Sequence, residues 1–231
     1  MIPGKLNRLI EYGVVSGINR LRLTNRENMA SRISCRFLSS DNEHEIMKQL
    51  DYYGKKKQTS VSLRALMETG QGAMLNMLDS RVDKNSMTKH EKICIQVAGF
   101  LHRELPIRLA HRAIELEASP LFMKCDNIRN VCNWYKKSFV QLRSCQAPTD
   151  LIKEAEFAKT IELIYERHSA TLMTMARGAH ELRTFLGHDI NAFAEHSDIQ
   201  RRLDDFYMSR IGIRMVIRNI LSYSFVLYCM I

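Results

Sequence analysis

Proline and glycine are scarce, at 4 and 10 of 231 residues. A turn-rich β fold needs more of both, so their scarcity points to long uninterrupted helices. Cysteine occurs six times but never as a Cys-x-x-Cys pair. With 45% apolar residues available for a core, this pattern indicates neither a zinc site nor a disulfide framework, and reduced thiols are expected. No metal is expected. The apolar stretch at 218–231 is far shorter than the roughly 20 residues a membrane span requires. A phosphate-cradling loop is lacking too. Gly70-Gln71-Gly72 is a lone Gly-x-Gly without a preceding strand, and a helix end explains it better. There is no internal repeat and no low-complexity block.

The net charge of +9 invites a nucleic-acid reading, but its distribution argues against one. Residues 1–40 carry Lys5, Arg8, Arg20, Arg22, Arg26, Arg32 and Arg36 against Glu11 and Glu27, a net +5 that leaves only +4 for the rest. This stretch is Arg-rich, acid-poor and dotted with serine, which suits a mitochondrial transit peptide processed near Arg36-Phe37-Leu38. A disordered basic tail is the other reading. The remainder, at 45% apolar and 26% charged for the whole chain, reads as one soluble globular domain with a sizeable core. Nucleic acid is not an expected partner.

Apolar spacing places the helices. Ser60 to Gly70 reads as a short helix with Gly70 at the C′ position, followed by a polar loop over 71–88. A first long helix is expected from Lys89 to Leu116, kinked at Pro106. A second, 126 to 144, puts Ile128, Val131, Cys132, Tyr135, Phe139 and Leu142 on one face. A third, 149 to 186, aligns Ile161, Ile164, Tyr165, Leu172, Met175, Ala179 and Leu182 and ends at Gly187. A fourth starts at the Ser197-x-x-Gln200 capping box. The expected fold is all-α, an antiparallel four-helix bundle with preceding short helices.

On the fourth helix, Ile199, Leu203, Phe206, Tyr207, Ile213, Ile217 and Leu221 form one stripe, and Arg210 and Arg214 fall near its middle. His168 falls near the middle of the stripe on the third helix. An unpaired buried charge costs several kcal/mol, so these arginines need anionic partners. Either the protein supplies them, as Glu104 and Glu115 reaching across helices, or a ligand does. A mixed arrangement is also open. His111, beside Arg112, is assigned to helix packing.

Phe206-Tyr207-x-Ser209-Arg210-Ile211-Gly212-Ile213-Arg214-Met215 is similar to a signature in the helical N-terminal domain of the mitochondrial pyruvate dehydrogenase kinase and branched-chain 2-oxo acid dehydrogenase kinase family. Three further segments match in order: Phe100-Leu101-His102-Arg103-Glu104-Leu105-Pro106-Ile107-Arg108-Leu109 and its continuation to Glu117, which looks most like the plant-type enzymes; Trp134-Tyr135-x-x-Ser138-Phe139; and Glu166-Arg167-His168 with Met173-Thr174-Met175-Ala176-Arg177-Gly178. The resemblance covers residues 44–217.

The resemblance implies a pocket for a small 2-oxo acid effector walled by Tyr135, Ser138, Ile164, His168, Ser209, Arg210, Ile213, Arg214 and Ile217. Tyr165 departs from it, standing where many family members carry another arginine. The parent activity implied is ATP-dependent serine phosphorylation that inactivates the pyruvate dehydrogenase complex. The family's Asn-bearing helix, Asp-x-Gly-x-Gly turn and glycine-rich lid have no match here, so the chain is expected to stop short of the ATP- and magnesium-binding domain and to take no cofactor itself. No catalytic residue is assigned. Residues 218–231 read as a divergent apolar tail. Implied partners are the lipoyl-bearing acyltransferase core and the dehydrogenase component of that complex. A homodimer or a mixed dimer with full-length kinase is also implied, and the implied location is the mitochondrial matrix. The alternative function is a non-catalytic module competing for the lipoyl core.

Overall fold

The computed structural model describes residues 40–72, 87–187 and 197–229. The expected leader up to residue 39 and most of the 71–88 loop therefore lie outside the described residues. The chain divides into two compact units, Met1–Lys48 and Gln49–Ile231. Of the first, the described part is the opening of helix α1, which runs Ser40–Gly54. The site described below lies wholly in the second.

After α1 come α2 (Leu63–Gly70), α3 (Lys89–Glu117), α4 (Pro120–Lys124), α5 (Asp126–Ser144), α6 (Leu151–Arg167), α7 (Thr171–Phe185) and α8 (Ser197–Cys229). The chain is all-α, and no strand occurs among the described residues. Local signals set the ends. Ser62 Oγ accepts from Ala65 N–H at the start of α2. Thr88 and Glu91 form a reciprocal capping box on α3. Asp150 Oδ1 accepts from Lys153 N–H at 2.8 Å on α6. The glycine that closes α2 is Gly72, at φ 85°, rather than Gly70, which stays helical. Gly187, at φ 90°, closes α7 as expected.

α3 runs unbroken through Pro106, which is buried within it. It packs on α5, α6 and α8; α5 also packs on α6 and α7, and α8 on α6. Contacts fix the directions. Cys132 on α5 donates to the Ala113 carbonyl of α3, while at the far end of α5 the carbonyl of its capping residue Cys145 meets His102 at 3.0 Å, so α3 and α5 run antiparallel. Arg112 donates to the Asp205 carbonyl and Gly212 lies against Arg108, making α3 and α8 antiparallel as well. The six stripe residues of α5 (Ile128, Val131, Cys132, Tyr135, Phe139 and Leu142) are each at most 1% exposed. Each contributes about 1.5–3 kcal/mol of apolar transfer where large.

The expected third helix is two helices. The backbone ladder changes at His168–Ala170: Ser169 N–H reaches Glu166 and Thr171 N–H reaches His168, both one residue short of α spacing. That break rotates the second half relative to the first. Thr171 becomes fully buried, and Leu172, expected inside, is 55% exposed. Close approach then favours glycine at 178. A Cβ there would lie 2.4 Å from Ile128 Cγ1 and 3.2 Å from its backbone nitrogen.

Candidate functional site

Helix phase brings two cations to one place. α8 buries Ile199, Leu203, Phe206, Ile213, Val216 and Ile217. Positions 210 and 214 lie on the same side, so their guanidiniums are half-buried. Arg210 Nη2 donates to the His168 carbonyl at 3.2 Å. That carbonyl lies at the break between α6 and α7, where a cation complements the partial negative end of α6. Arg214 places Cζ 4.1 Å from the centre of the Tyr165 ring. Arg210 Nε and Arg214 Nη1 are buried without a hydrogen-bond partner. Burial foremost, and then the charge of Arg214, pushes the Arg210 guanidinium below its ordinary value.

The carboxylates that could have neutralised them are engaged elsewhere. Glu104 accepts from Arg108 Nε at 3.0 Å and from Thr59 N–H at 2.9 Å, and Glu115 pairs with Arg112. The alternative in which Glu104 and Glu115 neutralise Arg210 and Arg214 is thereby overturned. Arg108 and Arg112 sit four and three residues away on the same helix, and short-range pairs on one helix cost little chain entropy. His111 meets the Lys56 carbonyl at 2.8 Å and so ties the segment after α1 to α3.

Behind the cations lies a polar chain. Arg167 donates to Ser138 Oγ at 2.7 Å and to Gln141 Oε1 at 2.8 Å. Ser138 Oγ lies 2.9 Å from His168 Nε2, and the His168 ring also bonds the Trp134 backbone. Burial, then the charge of Arg167, pulls His168 down to about 4, so it is neutral near pH 7. Ser138 is fully buried and its oxygen already accepts from Arg167. A neutral imidazole with so low a pKa is a poor base, and the pair is structural rather than nucleophilic. Tyr135 packs edge-on against His168, with ring centres 4.5 Å apart, and against Phe206. Burial pushes its phenol up to about 12.

Leu109, Tyr135, Ile164, Tyr165, His168, Arg210, Ile213, Arg214 and Ile217 line one cavity of about 10 Å³, roughly the space of a single water. Seven of the nine residues expected to wall an effector pocket therefore share one space. Ser138 is outside it, behind His168, and Ser209 does not line it. The sequence reading missed Leu109, whose phase was obscured by Pro106, and Arg167, whose side chain orders Ser138. The Glu166-Arg167-His168 match was the signal available for Arg167. Chemically the cavity offers two unpaired donors from neighbouring cations against apolar walls, an arrangement suited to a small anion.

A second crevice, about 190 Å³, is lined by Glu115, Leu116, Phe122, Arg201, Arg202, Asp205 and Phe206. Arg201 and Arg202 there both hold Asp198 at 2.7 Å. Among the described residues no group of three or more His, Cys, Asp or Glu can hold a metal ion. No helix among the described residues is long and apolar enough to cross a membrane.

A family profile described as mitochondrial branched-chain alpha-ketoacid dehydrogenase kinase matches residues 60–224. The chain is 33% identical over 173 residues to the mitochondrial pyruvate dehydrogenase (acetyl-transferring) kinase of Arabidopsis thaliana, covering 74% of this chain and 42% of that one. It is 32% identical over 185 residues to the Drosophila melanogaster enzyme of the same name, covering 78% and 40%. Against isozyme 1 of Homo sapiens it is 28% identical over 184 residues, covering 78% and 37%. The chain thus spans about two fifths of the length of these relatives. With a profile match running from before α3 into α8, this chain belongs to the mitochondrial branched-chain alpha-ketoacid dehydrogenase kinase family.

Proposed function

We propose that this chain is the regulatory and docking domain of a pyruvate dehydrogenase kinase-like protein of the mitochondrial matrix, and that its cavity binds a small 2-oxo acid. The observation that carries the ligand reading is the pair Arg210 and Arg214. They are adjacent, half-buried, held by uncharged partners, and each keeps one buried N–H unpaired. A carboxylate placed between them satisfies both donors and relieves their mutual repulsion. In the parent activity, a kinase phosphorylates serine on the dehydrogenase component and switches the complex off; a 2-oxo acid would report that substrate is plentiful. Because the cavity holds about one water as it stands, binding requires its walls to part.

The test is calorimetry with pyruvate and dichloroacetate on the wild type, Arg210→Ala and Arg214→Ala. Heat in the wild type that disappears in both variants supports the reading; no heat in the wild type, or unchanged binding in both variants, ends it. The same reading holds that this chain alone does not bind ATP, and micromolar binding of a fluorescent nucleotide analogue would contradict that.

A second reading, a non-catalytic module that associates with the lipoyl-bearing core or with full-length kinase, is favoured by the outer face of α8. Met208, Ile211 and Met215 form a stripe there and are 69%, 53% and 46% exposed. Contiguous apolar surface of this kind marks association sites. Co-sedimentation with the acyltransferase core is its test, and absence of association at mild salt rejects it.

A further inference from the structure

Arg210 and Arg214 share an unusual property: the groups that hold them are neutral. Arg210 spends one N–H on a backbone carbonyl. Arg214 spends none on Tyr165, because a ring supports a guanidinium through its π face. A carboxylate at position 165 would fix Arg214 equally well, but it would consume its in-plane donors and cancel its charge. An aliphatic side chain would leave the guanidinium free to rotate toward water. The ring does neither. The cation sits over its face, a contact that uses up none of the N–H groups lying in the guanidinium plane. Nη1 is the one that ends buried and unpartnered, and Arg214 lines the cavity.

Tyr165 is also placed to separate cavity from solvent. Ile164 beside it is 1% exposed, whereas Tyr165 is half-buried and lines the cavity. His168, which lines the cavity, is neutral, so the cavity's net charge comes from the two guanidiniums alone. Resting on the anion-site reading above, we infer that Tyr165 is the positioning residue of this site: its ring stacks beneath Arg214 and aims an unspent edge at a carboxylate. The ligand class this selects is a monoanion whose carboxylate lies in the guanidinium plane, with a small apolar substituent against Ile213 and Ile217.

The experiment uses the full chain, with pyruvate as probe and calorimetry as readout, on Tyr165→Phe, Tyr165→Leu and Tyr165→Glu. Thermal melting without ligand is measured for each. The Phe variant keeps the ring and binds within about threefold of wild type. The Leu variant loses the stack and binds about tenfold more weakly. The Glu variant pairs with Arg214 and loses binding while its melting temperature holds or rises. In the double variant Tyr165→Leu/Arg214→Ala the two losses do not add, since each removes the same contact. Leu binding as tightly as wild type, or Phe losing as much as Leu, overturns the positioning role while leaving the anion site standing. A wild type that binds no pyruvate overturns both. If the Leu variant does not fold, the Phe and Glu variants decide.

Discussion

Ser138 Oγ and His168 Nε2 meet at 2.9 Å inside the core, joining α5 to the end of α6 in a contact neither helix could make with water present. Because Arg167 also donates to that serine oxygen, the imidazole stands next to a cation in a space that disfavours a second charge. Folding therefore selects its neutral form.

Acid should weaken this protein through His168. Its folded value of about 4 lies below the ordinary imidazole value of 6.5. Between those limits the unfolded chain takes a proton that the folded chain refuses. Stability contributed here is complete above about pH 6.5 and is lost as pH falls toward 4, about 3 kcal/mol in all. Urea midpoints measured from pH 7 to pH 4 should fall across that window, and His168→Gln should flatten the fall. An identical slope in the variant would assign the titration to another group.

Arg210→Met should separate binding from folding. The variant loses a charge-assisted hydrogen bond to the His168 carbonyl, about 1.5–3 kcal/mol. It also removes a desolvated cation that repels Arg214, which offsets most of that loss. Urea unfolding should shift by no more than about 1 kcal/mol, while pyruvate affinity drops more than about tenfold. A large loss of stability with binding intact would make Arg210 a helix-end support and nothing more.

Glu104→Ala should cost about 3 kcal/mol. Glu104 is 3% exposed and serves two donors, Arg108 Nε and Thr59 N–H, both orphaned by the change. Arg108 also donates to the Thr59 carbonyl at 2.6 Å, so one residue is held at both its N–H and its carbonyl. Hydrogen exchange at Thr59 should accelerate selectively in the variant. Uniform acceleration across α3 would mean the whole helix had loosened instead.

Gly178→Val should destabilise by about 2 kcal/mol or more, because overpacking at the Ile128 contact exceeds the small gain in helix propensity. The thermal midpoint of the variant is the measure, and an unchanged midpoint would mean that α5 and α7 can separate without cost.

Much of the all-α class was readable from spacing alone. The α5 stripe from Ile128 to Leu142 is buried residue for residue, since regular periodicity and a one-sided core are the same fact seen twice. The ends of α3 and α5 fell within a residue of their expected places for the same reason. What escaped was short-range. No proline or glycine announces the break at His168–Ala170, where the ladder tightens because His168 turns inward to Ser138 and Trp134. One open alternative sets Glu104 and Glu115 across helices, yet Arg108 and Arg112 are nearer along one. Gly70 and Gly72 both stand in reach of the same helix end, and it is the second that takes the positive φ. For the cavity, the cationic pair was legible from phase. The contact of Tyr165 with Arg214 was not, since spacing says which residues face one another and nothing about a cation settling over a ring.

One oxygen, the His168 carbonyl, serves two masters: the turn that joins α6 to α7 through Thr171 N–H, and the guanidinium of Arg210. Anything that coaxes Arg210 toward a different acceptor withdraws a prop from that elbow. A guest only a few atoms across would then be felt along the 15 residues of α7, as a small lever moves a long oar.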